Sequence, residues 1–303
     1  MDYLYILIAD LLLGAIFVLN KKYQEHAGSG LKAGLISNLI LGVFGTVISL
    51  AAVGFKPEFT PFSLLIATLS TLCAVSYTVI GLKILSGGKV AVYAMFLMTG
   101  GMLVPFLYGV IFAKEKIGAL EIIGVILIIV SIAVTNYEKQ KPSKKQIMMS
   151  VAVFMLNGLL GVCSKIHQTA SEFDTVSTEG YVFLGNIVKM LLCLIVLFAV
   201  TVYSGAKKEK SSGEEKKPSA PLSKWQAAIP YALLCLIALF DFISYYCQLE
   251  GSVTVPATVL FPLVSGGSIV MTALVGMLIL REKPTRAAIV GMLLCIGGMC
   301  TFI

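Results

Sequence analysis

The sequence LLCLIVLFAV, residues Leu191–Val200, is a run of ten apolar residues that decides the fold class. A strand of a membrane β-barrel would alternate polar and apolar residues, because one face lines a polar interior. A continuous apolar run instead predicts a helix, which satisfies its own backbone hydrogen bonds and can lie in lipid on every side. Val151–Leu160 has the same mainly apolar character. The fold class that follows is an all-α integral membrane protein.

The composition of the chain agrees with a protein that lipid solvates. Of its 303 residues, 58% are hydrophobic and only 13% are charged. Soluble domains are about half apolar and about a quarter charged. The net charge of +7 comes from Lys and Arg residues that lie between the apolar runs, where they set membrane topology. We therefore predict no nucleic acid partner.

The chain contains ten stretches of membrane-spanning length. About 20 apolar residues cross the hydrocarbon core of a bilayer. The predicted spans are 3–20, 33–54, 61–85, 90–112, 117–136, 147–165, 181–203, 226–249, 253–280 and 285–303. The charged, Ser/Pro-rich segment 205–224 between the seventh and eighth spans predicts an extramembrane loop.

The two halves of the chain resemble each other. Two five-helix repeats, 1–140 and 145–303, are predicted from matches at offsets of 144, 163 and 167 residues. Because five is odd, the second repeat should enter the membrane from the opposite side. Inverted repeats of this kind, with a site near the bilayer midplane, are typical of secondary transporters. The matches are Gly14, Asn20, Lys21 and Gln24 with Gly158, Ser164, Lys165 and Gln168, then Gly88-Lys89-Val90 with Gly251-Ser252-Val253, then Lys114-Glu115-Lys116 with Arg281-Glu282-Lys283, and Gly124 with Gly291.

Proline and glycine mark matching places in the fourth and ninth spans. Proline removes a helical hydrogen bond and glycine lowers the cost of bending, so these two spans are candidate gates. The alternative is that the glycines only allow helices to pack closely in lipid. The gating candidates are Gly100, Gly101 and Pro105 in the fourth span, and Pro256, Pro262, Gly266 and Gly267 in the ninth.

These features together resemble a known family. The segment GAIFVLNK (Gly14–Lys21), its echo GLLGVCSK (Gly158–Lys165), and the K-E-K and R-E-K-P joints are similar to the drug/metabolite transporter superfamily, in its EamA-type ten-helix branch. The resemblance covers essentially the whole chain. It implies a central cavity lined by the first four helices of each half, with the fifth and tenth helices outside. The Trp that many members carry near the residue matching Gly14 has no counterpart here.

Polar residues inside the spans are the candidate site. Such residues tend to face a bundle interior or an aqueous cavity. Asp10 and Asp241 could carry a proton or a cation, although Asp10 could also lie near a solvated interface. Lys189 could pair with an aspartate, bind an anionic substrate group, or reach the headgroups. Lys21 and Lys165 either reach the interface or lie at opposite mouths of the cavity.

Amide and aromatic side chains complete the candidate site. Asn38 and Asn186 occupy similar depths in the second and seventh spans, where an amide can bind substrate or join helices. Tyr245 and Tyr246 are adjacent in sequence, so at most one of them should face the cavity. The remaining candidates are Asn20, Tyr77, Tyr93 and Gln248.

The function predicted is secondary active transport of a small polar metabolite or drug-like compound. Export is the direction that the family resemblance implies. No Walker A sequence, no H-E-x-x-H, no G-x-S-x-G and no clustered His and Cys occur, so neither an ATP-driven pump nor an enzyme is indicated. We expect no cofactor and no metal. A flippase for a lipid-linked carrier and a non-transporting scaffold remain alternatives.

The expected partners and membrane orientation follow from the same features. The partners are the lipid bilayer, a small-molecule substrate, a proton or cation as coupling ion, and a second copy of the chain in a homodimer. Lys and Arg are concentrated on alternate connections, which the positive-inside rule assigns to the cytoplasm. Both termini would then lie outside a bacterial plasma membrane.

Overall fold

The protein is described here by a computed structural model, which covers residues 2–27, 31–86, 90–136, 143–208, 224–281 and 284–302. These residues form ten α-helices and no strand. The helices are α1 (Asp2–Ala27), α2 (Leu31–Ala52), α3 (Pro61–Ser86), α4 (Val90–Ile111), α5 (Ala119–Thr135), α6 (Lys144–Thr169), α7 (Thr178–Lys208), α8 (Lys224–Thr254), α9 (Ala257–Leu280) and α10 (Arg286–Met299), and a 3-10 turn follows at Cys300–Phe302.

The all-helical membrane fold is confirmed. Within the described residues, eight helices are long and apolar enough to cross a bilayer, and α5 and α10 with its 3-10 turn are shorter apolar helices of 10 to 17 residues. A span can be as short as about 17 residues. The crossing of α5 and α10, and hence the count of ten spans, remains a prediction.

Local sequence signals determine where several helices begin. The Ser143 side chain accepts a hydrogen bond from the Gln146 backbone at 3.3 Å, and the Gln146 side chain accepts one from the Ser143 backbone at 2.8 Å. This reciprocal capping box fixes the start of α6. Thr285 caps α10 in a similar way, because its hydroxyl accepts from the Ala288 backbone N–H at 3.1 Å.

The predicted ninth span, 253–280 with Pro256 inside it, is wrong at its beginning. The helix α8 continues to Thr254, and α9 begins only at Ala257. Pro256 precedes α9 with φ −54° and ψ 146°. A proline disfavours the helical conformation of the residue before it, so the chain breaks at Val255-Pro256 and Pro256 is not a bend within a helix.

Two other predicted boundaries also need correction. Helix α1 continues to Ala27, so Asn20 and Lys21 lie inside the helix and not at its end. The predicted loop 205–224 is shorter than expected, because α7 includes residues 205–208 and α8 begins at Lys224. The rest of that loop lies outside the described residues, as do Gly88, Lys89, Glu282 and Lys283 of the repeat matches.

The helices pack in corresponding pairs. Helix α1 packs against α8 and α9, and α6 packs against α3 and α4, while α2 packs against α7, α5 against α10 and α4 against α9. Glycines allow the closest approaches: a methyl group on Gly14 would lie 2.6 Å from the Met271 carbonyl carbon, and one on Gly158 would lie 2.7 Å from the Gly100 oxygen. Small residues at crossings are how helices associate in lipid.

Candidate functional site

A cavity of about 450 Å³ lies between the helices. Its lining comes from α1 to α4 and α6 to α9, and no described lining residue belongs to α5 or α10. The cavity is of the size that small-molecule sites have. The candidates Asn38, Tyr77, Gly101, Asn186, Lys189, Asp241, Tyr245 and Gln248 all line it.

One ion pair lies on the cavity wall. The Lys189 ammonium of α7 is 3.8 Å from the Asp241 carboxylate of α8, and their side chains are 22% and 51% exposed. Direct charge-assisted hydrogen bonds are shorter, about 2.7–2.9 Å. Both charges therefore keep capacity for a further partner inside the cavity. Of the three alternatives for Lys189, pairing with an aspartate is the one observed.

Two amides of the site donate to backbone oxygens, and a third packs against a glycine. Asn38 donates from Nδ2 to the Gly34 oxygen of its own helix at 2.8 Å. The Asn186 carboxamide lies against Gly45 of α2, where a methyl group would come within 2.6 Å of Oδ1. Asn157 of α6 donates to the Leu97 oxygen of α4 at 2.8 Å. Sequence reasoning missed Asn157, although it is the one amide within the run 151–160.

Aromatic and hydroxyl groups form a second polar cluster on the cavity wall. The Tyr245 hydroxyl is 2.8 Å from the Ser164 hydroxyl, and the Gln248 amide donates to the Ser244 hydroxyl at 3.3 Å. Tyr245 lines the cavity and Tyr246 does not, in line with the expectation from their adjacency. Tyr93 packs against Gly81 of α3 and is outside the cavity lining.

Asp10 lies behind the cavity and not on its wall. Its side chain is 2% exposed, and its carboxylate packs against Gly267 of α9. Among the residues that the structure describes, its Oδ1 has no hydrogen-bond partner. A carboxylate buried in this way is expensive unless it holds a proton or a cation. The burial is inconsistent with the alternative of a solvated interfacial position.

The matched lysines differ in their surroundings. Lys165 is 5% exposed and donates to the Ser252 and Val255 oxygens at 2.5 and 2.8 Å, so it does not reach the headgroups. Lys21 is exposed, and both it and Asn20 are outside the cavity lining. The two lysines are therefore in different environments in this structure.

The candidate gating residues lie within continuous helices, apart from Pro256. Pro105 lies inside α4 and Pro262 inside α9. Gly100 packs against the Phe154 backbone, and Gly266 faces Met299 and Cys295. These contacts are those expected if glycine permits close packing. Bending of the helices at these positions therefore stays a proposal.

Comparison with known proteins identifies the family. A model of the EamA-like transporter family matches residues 144–303, which is more than half of the chain. The chain belongs to the EamA-like transporter family. As a member, it is a multi-pass membrane protein of transporter type, and the resemblance seen in the sequence is confirmed.

A solved structure has the same fold as this EamA-like protein. The crystal structure of another protein matches this chain with a TM-score of 0.71 and 14% sequence identity, over 99% of this chain and 95% of that chain. At this identity the likeness concerns the fold alone. No curated protein matches the chain.

Proposed function

We propose that this EamA-like protein is a secondary active transporter that carries a small polar metabolite or drug-like compound by alternating access. The observation that carries the proposal is the Lys189–Asp241 pair on the wall of a cavity enclosed by helices of both halves. Charged groups inside a membrane bundle are costly and are associated with substrate or ion pathways. An exporter in a bacterial plasma membrane, with the Lys- and Arg-rich connections in the cytoplasm, is the form we favour.

The packing of the helices supports two inverted five-helix repeats. The contacts of α1 with α8 and α9 correspond to those of α6 with α3 and α4. Lys114 and Arg281, the first residues of the matched triplets, both have left-handed backbones, with φ of 54° and 53°. Two halves that exchange conformations would open the cavity first to one side and then to the other.

The cavity wall favours a substrate with both polar and apolar parts. The Lys189 ammonium suits an anionic or acceptor group, and the Asp241 carboxylate suits a cationic or donor group. The rings of Phe17, Phe242 and Phe261 also line the cavity and suit an apolar part. A substrate that interacts with both charges would replace their long contact with two shorter ones.

Asp241 is the proposed coupling residue, and Asp10 is the second candidate. Asp241 reaches both the cavity and a cationic partner, so substrate binding and protonation can compete for the same carboxylate. Asp10 is buried away from the cavity, so a proton there would act through the packing of α1 against α9.

The test begins with a thermal-shift screen of the detergent-purified protein against metabolites. The compound that stabilises it is then used for pH-gradient-driven uptake into liposomes. Asp241→Asn should abolish this uptake, whereas Glu172→Gln, at an exposed site in the α6–α7 connection, should leave it unchanged. Unchanged uptake in Asp241→Asn would remove the coupling role.

The two alternative functions would give different results in the same screen. A flippase would be stabilised by a lipid-linked carrier and not by water-soluble metabolites. A scaffold would respond to no compound, and its cavity would not need the charged and amide lining that is observed.

A further inference from the structure

The break between α8 and α9 exposes backbone groups that need partners. Helix α8 ends at Thr254 and α9 begins at Ala257. The last carbonyls of one helix and the first N–H groups of the next have no intrahelical partner. Within a membrane bundle, such groups are costly unless a side chain or another backbone group pairs with them.

Two oppositely charged side chains bond the free backbone groups of this α8–α9 joint. The Glu115 carboxylate accepts from the backbone N–H groups of Ala257 and Thr258 at 2.9 and 2.8 Å, and from the Thr258 hydroxyl at 2.8 Å. The Lys165 ammonium donates to the Ser252 and Val255 oxygens. An anion thus lies at the start of α9 and a cation at the end of α8, as the helix dipoles favour.

The two charges reach the joint from different elements. Lys165 lies on α6, and Glu115 lies in the connection between α4 and α5. The left-handed backbone of Lys114, with φ of 54°, turns the chain, and the Glu115 N–H donates back to the Gly109 oxygen at 2.9 Å. Gly109 leaves room for the carboxylate, because a methyl group there would lie 2.6 Å from Oε2. The joint therefore ties the first half of the chain to the second.

This end of the bundle is tightly packed. At the joint itself, the side chains of Ser252, Val255 and Ala257 are all buried. Near the joint, the Ser63 hydroxyl lies 2.9 Å from the His167 ring and accepts from the Val176 N–H at 3.0 Å. Ser63, His167 and Thr258 are each at most 2% exposed. We call this the α8–α9 end of the bundle.

We propose that Glu115 and Lys165 form the gate that closes the cavity at the α8–α9 end. They are positioning residues that hold the joint together and do not line the cavity. Opening this end requires Glu115 to leave the start of α9, so that α9 can separate from α4. The proposal rests on the proposed transport function, because a gate has meaning only for a passage that opens.

The test measures water access and needs no transported substrate. Ser265 of α9 lines the cavity, so Ser265→Cys is the reporter, and peptide mass spectrometry follows its reaction with a membrane-impermeant thiol reagent. The reagent is applied to right-side-out and to inside-out vesicles. Glu172→Cys, in the connection that follows α6, identifies which vesicle face is the α8–α9 end.

In the Ser265→Cys background, Glu115→Gln should raise labelling from the α8–α9 end by about tenfold or more. The change removes the charge and turns one of the two acceptor oxygens into an NH2 group, which cannot accept from the Ala257 or Thr258 N–H. Lys165→Met should do the same, and the double variant should add little to either single change. Gly109→Ala, which displaces the carboxylate without removing its charge, provides a second route if Glu115→Gln does not fold. The matched control is Glu121→Gln, because Glu121 accepts from the Gly118 N–H at 2.8 Å at an exposed helix start nearby.

The outcomes separate the gate from the transport function. If Ser265→Cys is labelled no faster in the folded Glu115→Gln, Lys165→Met and Gly109→Ala proteins than in the protein that carries Ser265→Cys alone, the gate is overturned. Labelling that is absent from both faces in every variant overturns the aqueous passage itself, and the gate with it. Equal increases in Glu121→Gln would show a general loosening and would also overturn the gate.

Discussion

Replacing Gly158 with alanine should force α6 away from α4 at a place where the two helices pack closely. The added methyl group would lie 2.7 Å from the Gly100 carbonyl oxygen and would overlap the Val104 side chain. Ordinary van der Waals contacts begin at 3.4 Å. The Gly100 oxygen belongs to the backbone of a long helix, so a side-chain rotation alone cannot relieve the clash.

The cost of this change follows from the rigidity of the crossing. Overpacking of a filled interior typically costs about 1–3 kcal/mol, and we expect the upper half of that range because backbone atoms are involved. Gly14→Ala should cost a similar amount, since a methyl group there would lie 2.6 and 2.8 Å from the Met271 and Thr272 backbone. Equal costs are expected because the two glycines occupy matched places in the two halves.

The assay is thermal unfolding of detergent-purified protein, with Gly297→Ala as the control. A methyl group on Gly297 would have no neighbouring atom within 4 Å in the part of the chain that the structure describes, and alanine is about 1 kcal/mol more favourable than glycine in a helix. That variant should therefore melt at or above the wild-type temperature. A Gly158→Ala protein that melts with the wild type would refute the close α4–α6 crossing.

Two further predictions concern single side chains. Lys189→Met should weaken binding of the stabilising compound by about tenfold or more, because two unit charges 4 Å apart interact by about 1–4 kcal/mol at the relevant dielectric. Unchanged binding in a calorimetric titration would remove Lys189 from the site. Ser131→Ala should lower the unfolding free energy by about 1–2 kcal/mol, because the buried Ser131 hydroxyl donates to the Gly291 oxygen of α10 at 2.7 Å. Thr68→Ala should have little effect, since the Thr68 hydroxyl bonds the Leu64 oxygen of its own exposed helix face. Equal melting of the two variants would contradict the α5–α10 contact.

The sequence was informative about the fold because lipid leaves few choices. A continuous apolar run must satisfy its backbone internally, so runs such as Leu191–Val200 could be assigned to helices without knowledge of their neighbours. The sequence predicted a bend at Pro256 and missed the break there, because an apolar segment on both sides of a proline resembles one bent span. The side-chain partners of the freed backbone groups, Glu115 and Lys165, come from distant parts of the chain and leave no local sequence signal of the break.

The site was only partly predictable. Residues such as Lys189 and Asp241 could be singled out because charge inside a span is costly, and the structure brings them together on one wall. The direction in which a side chain points depends on the rotation of its helix, which distant contacts decide. Asp10 faces Gly267 and not the cavity, and the hydrogen bonds of Lys165 reach residues almost ninety positions away.

The most direct test of the account is the sidedness of three single cysteines, because it counts membrane crossings in the first half. Tyr3→Cys marks the start of α1, Ser143→Cys marks the start of α6, and Glu172→Cys marks the connection after α6. With five crossings before α6, an impermeant thiol reagent should label Tyr3→Cys and Glu172→Cys from one face and Ser143→Cys from the other. Labelling of Tyr3→Cys and Ser143→Cys from the same face would mean an even number of crossings and would contradict two oppositely oriented halves around a shared cavity.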